Sequence, residues 1–286
     1  MAFWFELLNT PKQSVLEPDK LKTSGLSGTD YRFLGSGGFG ETWAVTEGGI
    51  TLAFKFLMVG NYPPTRFARE AEGLRRATGE NLSCLLKTGH LDYEGKSLPY
   101  IVSAFIPGLN LNTCLCSGQW PSFSEARTLI RGLLTGLVAL HEKSMIHRDL
   151  KPENIILRDT AFSCPVIIDF GLVKILDDNN ETRYPAIMGT APFMAPEQVM
   201  GLRPMKSTDL WALGVIMYLL MTRKHPFYGN RGQALDSDEA LDALNSGFPD
   251  LPSDTPRDLA ELTMRFLSPE PYQRGSAKRA LSDLEV

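Results

Sequence analysis

The stretch MIHRDLKPENIIL, which begins at Met145, places many polar side chains between two apolar runs. An aspartate can accept a hydroxyl proton, a lysine can neutralise a transferring phosphoryl group, and an asparagine oxygen can bind magnesium. Asp149, Lys151 and Asn154 supply these three functions close together in the chain. Further on, VIIDFGLVK places Asp169 at the end of an apolar run, where its carboxylate could be a second magnesium ligand. Each piece alone could be a turn with solvated charges, but together they indicate magnesium-assisted phosphoryl transfer.

A glycine-rich stretch, LGSGGFGET, could hold the phosphates. Gly35, Gly37 and Gly40 have the spacing G-x-G-x-x-G. Glycines let backbone N–H groups approach phosphate oxygens, where a Cβ atom would obstruct them. Dinucleotide-binding folds use the same spacing but need a helix after the loop, whereas the strand-like TWAVTEG follows here. The pattern favours a β-hairpin over phosphates, and its alternative reading is an ordinary flexible turn.

Lys55 lies within the apolar strand LAFKFL. An inward-facing ammonium could hold phosphates if a carboxylate orients it, and the alternative is an edge lysine facing solvent. The helix TRFAREAEGLRRA offers the carboxylate. At about 100° per residue, Phe67 and Leu74 lie on one apolar stripe with Glu70 beside it, and Glu72 points to nearly the opposite face. Glu70 is therefore the predicted partner of Lys55, unless it is a solvated charge at the border of the stripe.

Composition indicates an ordinary globular protein. Of 286 residues, 43% are hydrophobic and 22% are charged, and the net charge is -4. This charge argues against a nucleic-acid partner, whose binding needs a concentrated basic face. The opening MAFWFELL is short, contains Glu6 and lacks basic residues before it, so it fits neither a signal peptide nor a membrane span. We therefore expect a cytoplasmic protein without membrane insertion.

The cysteines indicate neither a zinc site nor a disulfide framework. They show no C-x-x-C pair and are too few for a small disulfide-linked domain. We expect reduced thiols at Cys84, Cys114, Cys116 and Cys164.

The order of elements predicts an α+β fold with two unlike lobes. Residues 1–30 read as an N-terminal extension, and 31–103 as a small β-rich lobe with one main helix. A hinge at 104–108 precedes a larger α-helical lobe at 109–286, whose helices have predicted N-caps at Ser124 and Ser207. A cleft between unlike lobes is a natural ligand site.

Taken in order, the motifs resemble those of the eukaryotic-type serine/threonine protein kinase family, and the style of GSGGFGETW is similar to bacterial members. The resemblance extends from Tyr31 to Leu281. After the glycine-rich loop come Lys55 in A-F-K, Glu70, H-R-D at His147–Asp149, D-F-G at Asp169–Gly171 and A-P-E at Ala195–Glu197.

The resemblance implies a bilobal protein-kinase-like fold. It also implies ATP- and magnesium-dependent transfer of the γ-phosphoryl group to serine or threonine hydroxyls of a protein substrate. Asp149 would be the catalytic base and Lys151 would contact the γ-phosphoryl group. Asn154 and Asp169 would hold magnesium.

The same resemblance implies a nucleotide site. Lys55, paired with Glu70, would hold the α- and β-phosphates. Thr42 stands where the family commonly has valine over the adenine, and its hydroxyl should weaken packing slightly. Ser103 would be a small gatekeeper that leaves a deep pocket open to bulky ATP analogues. The residues around ATP would be Gly35, Ser36, Gly37, Gly38, Phe39, Gly40, Thr42, Ala53, Lys55, Ser103, Ala104, Ile106 and Ile156.

Structural roles also follow from the resemblance. Glu197 would form an ion pair with Arg274, and Asp209 would anchor the backbone of the catalytic loop. An apolar column would be built from Leu74, His147 and Phe170.

The resemblance further implies regulation. Arg148 beside Asp149 is typical of kinases that are activated when the loop after D-F-G is phosphorylated. In that loop, Thr182 is the preferred site and Tyr184 the second candidate. Thr190, like the lysine in DLKPEN, favours serine or threonine over tyrosine as the acceptor.

Two other function classes can be weighed. A kinase-like binding module usually lacks the lysine, the base or the metal aspartate, and this sequence keeps all three. Small-molecule phosphotransferases of related fold generally lack the A-P-E segment and the loop before it, and both are present. A protein kinase is therefore the leading interpretation.

Overall fold

The computed structural model describes residues 13–37, 40–58, 64–170, 174–175, 191–227 and 247–284, with only the backbone element described for 64–66, 69, 70, 174, 175 and 191. This described part divides into two compact units. The sheet unit comprises the described residues up to 78 together with 83–107, and the helical unit comprises 79–82 and the described residues from 108 onward.

The sheet unit is built on five antiparallel strands: β1 (Tyr31–Gly37), β2 (Gly40–Glu47), β3 (Ile50–Leu57), β4 (Leu85–Tyr93) and β5 (Lys96–Ala104). Their spatial order is β1-β2-β3-β5-β4. Helices at Pro18–Thr23 and Pro64–Arg76 complete the unit. Four strands and the second helix confirm the sequence prediction. The prediction missed β4, because most of the side chains of this edge strand are exposed and give no apolar alternation.

The two faces of this sheet carry different residues. Thr42 pairs with Lys55, and Ala53 pairs with Ser103. Because directly paired residues share a face and neighbours along a strand alternate, these four side chains lie on one face. The opposite face forms the hydrophobic core of the unit, with Trp43, Val45, Phe54, Phe56, Leu91, Leu98 and Val102 packed with Leu16, Leu21 and Leu26.

The helical unit contains six α-helices among the described residues: Leu111–Cys116, Phe123–Glu142, Pro196–Val199, Lys206–Thr222, Arg257–Phe266 and Ala277–Asp283. Its short strands are β6 (Gly108–Asn110), β7 (Met145–Ile146), β8 (Ile155–Arg158), β9 (Pro165–Ile167) and β10 (Lys174–Ile175). Strands β6, β8 and β9 form one sheet, and β7 pairs with β10. The helix predicted for DEALDALNSG lies outside the described residues, apart from its final Gly247.

A short segment from the middle of the chain completes this unit. The Asn81 side-chain amide donates to the Pro165 carbonyl at 2.8 Å, and the Asn81 carbonyl accepts from the Ile167 N–H at 2.8 Å. Leu82 forms a parallel β-bridge with Ile167. Residues 79–82 therefore extend the edge of β9.

The long helices begin at residues other than those predicted. Ser122, and not Ser124, caps Phe123–Glu142: its hydroxyl accepts from the Glu125 N–H, and the Glu125 carboxylate accepts from the Ser122 N–H at 2.9 Å. Ser207 is likewise inside the helix Lys206–Thr222, whose first turn is closed by a bond from the Met205 N–H to the Thr208 hydroxyl. Both N-cap predictions were wrong.

The architecture confirms the predicted α+β class, with a β-rich part that carries one main helix and a larger α-helical part. Helix Lys206–Thr222 is apolar on nearly all sides, and its residues from Ser207 to Met221 are buried. It packs against Phe123–Glu142 and Arg257–Phe266. Within the described ranges, no helix combines the length and apolar character needed to cross a membrane.

A buried histidine lies in an aromatic cluster beside this helix. His225 Nε2 bonds to the Pro192 carbonyl at 2.9 Å, and its Nδ1 accepts from the Phe227 N–H at 3.2 Å. The Phe227 ring stacks on Trp211 with centroids 5.6 Å apart. Burial lowers the pKa of His225 to about 3, although the bond to Pro192 opposes this shift.

We expect stability to fall below pH 6.5 partly because of His225. The unfolded chain binds a proton on this imidazole near pH 6.5, and the folded chain only near pH 3. Protonation between these values favours unfolding, by at most about 1.4 kcal/mol per pH unit. The stabilising contribution is complete above pH 6.5 and is lost as the pH falls toward 3. Chemical denaturation from pH 4 to 7 should show a shallower pH dependence for His225→Gln than for wild type. The exposed-site control His90→Gln should keep the wild-type slope, and equal slopes for all three proteins would contradict the prediction.

Candidate active site

The loop that carries the candidate base is anchored by a fully buried carboxylate. Asp209 accepts hydrogen bonds from the backbone N–H groups of His147 at 3.0 Å and Arg148 at 2.9 Å. It also bonds to His141 Nε2 at 2.9 Å. Burial alone would raise the pKa of Asp209, but the hydrogen bond to His141, the nearby imidazoles of His141 and His147, and the bond from the Arg148 N–H outweigh burial and lower that pKa. The predicted anchoring role of Asp209 is confirmed.

Arg148 is held in a left-handed backbone conformation. Its φ is 68°, which is uncommon for a residue with a side chain. Asp209 binds its N–H, and the Gln198 side-chain amide donates to its carbonyl at 3.0 Å. Both backbone polar groups of Arg148, its N–H and its carbonyl, are therefore held just before Asp149. Sequence reasoning missed Gln198, whose only signal is its position directly after the A-P-E motif.

The structure brings three predicted residues together. Lys151 Nζ lies 3.0 Å from Asp149 Oδ2. The Asn154 side-chain amide donates to the Asp149 carbonyl at 2.8 Å and to its Oδ2 at 3.2 Å. The side chains of Asp149 and Lys151 are only 14% and 21% exposed. Mutual contacts thus fix the positions of these side chains. Side chains that act together on one reacting hydroxyl need such fixed positions.

Asp169 lies next to this cluster through the backbone. The Ile168 N–H donates to the Asn154 carbonyl at 2.9 Å, and the Ile168 carbonyl bonds to His147 Nε2 at 3.1 Å. Asp169 follows with a left-handed φ of 61° and is exposed. Phe170 then returns to the core and meets the His147 ring edge-to-face at 5.5 Å between centroids. This confirms the predicted His147–Phe170 contact.

The donor set of Asn154 and Asp169 fits a magnesium ion. The Asn154 amide nitrogen donates to Asp149, so the side-chain oxygen of Asn154 is the atom that can bind a cation. Asp169 contributes a carboxylate from an exposed position. Magnesium takes few protein oxygens and completes its shell with water and phosphate oxygens.

A buried ion pair involves Glu197, the residue directly before Gln198. Arg274 donates to both oxygens of Glu197, at 2.8 Å and 2.9 Å, and is fully buried. Its remaining N–H groups donate to the carbonyls of Ser207, Ser268 and Pro269. The Thr208 hydroxyl also donates to Glu197, at 2.7 Å. The predicted Glu197–Arg274 pair is confirmed.

In the sheet unit, several predicted nucleotide residues lie on one face. Thr42, Ala53, Lys55 and Ser103 share that face and are each half-buried. Ala104, at the end of β5, and Ile106 beyond it are also half-buried.

The glycine-rich hairpin is formed by β1 and β2, as predicted. Gly40 has a φ of 150°, and a Cβ atom there would lie 1.8 Å from the Phe56 carbonyl oxygen, so only glycine fits. Gly35 lies at a register shift in β1 and pairs with Thr42.

The other predicted site residues lie in the helical unit, in the helix Pro64–Arg76 or outside the described ranges. In the helical unit, Ile156 is half-buried on β8. Glu70 lies within the helix Pro64–Arg76, but its side chain is outside the described part of the chain. The residues that lie wholly outside the described ranges are Gly38, Phe39, Thr182, Tyr184 and Thr190.

Comparison with known proteins gives one family. The family described as "protein kinase domain" matches residues 29–284. The probable serine/threonine-protein kinase PknB of Corynebacterium glutamicum is 33% identical over 205 residues, which cover 68% of this chain and 31% of the relative. The probable serine/threonine-protein kinase PkwA of Thermomonospora curvata is 30% identical over 258 residues, covering 88% and 33%. Serine/threonine-protein kinase D of Synechocystis is 37% identical over 212 residues, covering 68% and 40%. The chain thus spans about a third to two fifths of the length of these curated relatives.

Proposed function

The chain belongs to the protein kinase family, with bacterial serine/threonine kinases among its relatives, and we propose that it transfers the γ-phosphoryl group of ATP to serine or threonine hydroxyls of a protein substrate. The observation that carries this proposal is the cluster of Asp149, Lys151 and Asn154, with Lys151 Nζ and the Asn154 amide both on the same Asp149 oxygen.

This cluster has a defined task for each residue. Asp149 accepts the proton of the acceptor hydroxyl as the hydroxyl oxygen attacks the γ-phosphorus atom of ATP, and the bond from this phosphorus to the β-phosphate oxygen breaks to release ADP. Lys151 holds Asp149 in place and offers positive charge to the transferring phosphoryl group. Asn154 and Asp169 would hold magnesium, which supplies charge neutralisation to the phosphates when bound.

The sheet unit would bind the nucleotide. Lys55 lies across from Thr42 on the face that also carries Ala53 and Ser103. This arrangement supports a site in which Lys55, oriented by Glu70, holds the α- and β-phosphates, and Ser103 leaves room behind the adenine.

We further propose that the loop after Asp169 is regulated by phosphorylation. Arg148, whose backbone is fixed by Asp209 and Gln198, is the residue suited to receive a phosphate dianion. Thr182 is the preferred site, with Tyr184 as the second candidate.

The test is intact-mass analysis after incubation with ATP, with and without magnesium. Addition of one or more phosphates to the protein or to a serine/threonine peptide library is expected only with magnesium present. Phosphopeptide mapping should find phosphoserine or phosphothreonine, including Thr182. Transfer that persists in excess chelator would contradict the magnesium role, and phosphate found only on tyrosine would contradict the acceptor class. If nucleotide binds but no phosphate is transferred, the chain acts as a binding module.

A further inference from the structure

A buried carboxylate connects the glycine-rich hairpin to the N-terminal region. Glu41 is 2% exposed. It accepts hydrogen bonds from the Ser14 hydroxyl at 2.7 Å and from the N–H groups of Val15 at 2.5 Å and Leu16 at 3.3 Å. The Trp43 indole N–H donates to the same carboxylate at 3.1 Å. A buried carboxylate with this many donors is a specific binding site for residues 14–16.

Residues 13–30, which we call the N-terminal strap, are packed onto the sheet. Leu16, Leu21 and Leu26 are buried in its hydrophobic core. The Glu17 N–H donates to the Tyr93 hydroxyl at 3.1 Å. The strap therefore covers the face opposite the one that carries Thr42, Lys55 and Ser103. Its residues 14–16 lie beside Glu41, at the glycine-rich end of β2.

Glu41 occupies a position from which it can control the hairpin. It directly follows Gly40, and it pairs with Ser36 on β1 and with Phe56 on β3. On the other strand of the hairpin, a Cβ atom on Gly37 would meet nothing within 4 Å among the described residues, whereas Glu41 is held by four hydrogen bonds. The geometry of backbone N–H groups toward phosphates then depends on what holds the adjacent residue.

We propose that Glu41 is a positioning residue for nucleotide binding: by binding the strap, it holds the glycine-rich hairpin in the geometry that receives the phosphates. This inference rests on the proposed function, because it assumes that the hairpin contacts ATP. It predicts that detachment of residues 14–16 weakens nucleotide binding although none of the residues that contact ATP is substituted.

The test compares Glu41→Gln with Glu47→Gln. Glutamine keeps the shape of the side chain. Its amide nitrogen, however, is a donor and would face one of the N–H or O–H groups whose hydrogen bond the carboxylate accepts. Glu47 is on the same strand at its other end, where it bonds to Lys87 and to Ser27 of the strap. Loss of a strap contact at the far end of β2 should therefore leave the hairpin unchanged.

In the nucleotide-free protein, Glu41→Gln should speed hydrogen exchange at Val15, Leu16 and Ser36 relative to wild type and Glu47→Gln. Affinity for a fluorescent ATP analogue with magnesium should fall about five- to tenfold. KM for ATP should rise by the same factor, while kcat and the peptide KM stay within about twofold of wild type. Ser14→Ala should shift KM for ATP in the same direction by a smaller factor.

Two outcomes would overturn the inference. The first is faster exchange at Val15 and Leu16 with unchanged nucleotide affinity, which would give Glu41 a purely structural role. The second is an equal loss of affinity in Glu47→Gln. Wild-type protein that binds no nucleotide would instead overturn the proposed function itself, and this outcome is distinguishable because it requires no variant.

Discussion

Replacing Asp149 with asparagine is expected to lower the rate of phosphoryl transfer by about two to four orders of magnitude, because the substitution removes the proposed general base. The substitution keeps the side-chain shape. The contacts from Lys151 Nζ at 3.0 Å and from the Asn154 amide both reach Oδ2, which an asparagine can present as its carbonyl oxygen. Nucleotide affinity and thermal stability should therefore change little.

The measurement is the initial rate of peptide phosphorylation at saturating ATP and magnesium, with nucleotide affinity measured separately. Asp159→Asn is the matched control, since Asp159 is an exposed acid in a nearby turn with a left-handed φ that asparagine tolerates. It should react at the wild-type rate. If Asp149→Asn also retained a rate within about threefold of wild type, Asp149 would not be the base.

Arg274→Met should unfold more easily than wild type by about 3–5 kcal/mol, because it leaves the Glu197 carboxylate buried without its partner. Arg274 is 0% exposed and Glu197 is 3% exposed. Three backbone carbonyls lose a donor as well, and the guanidinium lies 4.9 Å from the Trp211 ring centroid. The midpoint of thermal unfolding should fall on the order of 10 °C.

Two further variants separate the cause from a general effect of losing an arginine. Arg257 is 91% exposed and pairs with Glu261 on the same helix, so Arg257→Met should cost less than about 1 kcal/mol. Adding Glu197→Gln to Arg274→Met removes the stranded charge and should recover part of the lost stability. A double variant no more stable than Arg274→Met alone would show that lost packing, and not the unpaired charge, dominates.

The elements that sequence could predict are those whose residues carry an internal pattern. Strand β3, LAFKFL, and helix Arg257–Phe266 each show the periodicity of their own secondary structure, and both are present. Strand β4 was missed because LLKTGHLDY is mostly exposed at the edge of the sheet. Ser122 was overlooked as a cap although Ser122 and Glu125 have the S-x-x-E spacing of a capping box.

Long-range contacts explain what the sequence could not predict. Leu16, Leu21 and Leu26 lie in a polar stretch without helical or strand spacing, so nothing local distinguishes a packed strap from a loose extension. The buried role of Glu41 cannot be recognised in the sequence for a similar reason. A glutamate after a glycine reads as a solvated charge until Ser14 and Val15 are found beside it. By contrast, Asp149, Lys151 and Asn154 are close in sequence, and a single tight turn keeps them close in space.

The placement of residues 79–82 limits how this protein can be divided. Neither compact unit is encoded by one continuous stretch of chain, because Asn81 and Leu82 belong to the helical unit although sheet-unit segments flank them. A fragment that starts at Gly108 would lack the Asn81 groups that bind the Pro165 carbonyl and the Ile167 N–H, and the edge of β9 would lose its bridge to Leu82. During synthesis, Asn81 must likewise wait until β9 has left the ribosome. A single cut between the two units therefore leaves the helical unit without the two hydrogen bonds and the β-bridge that residues 79–82 provide.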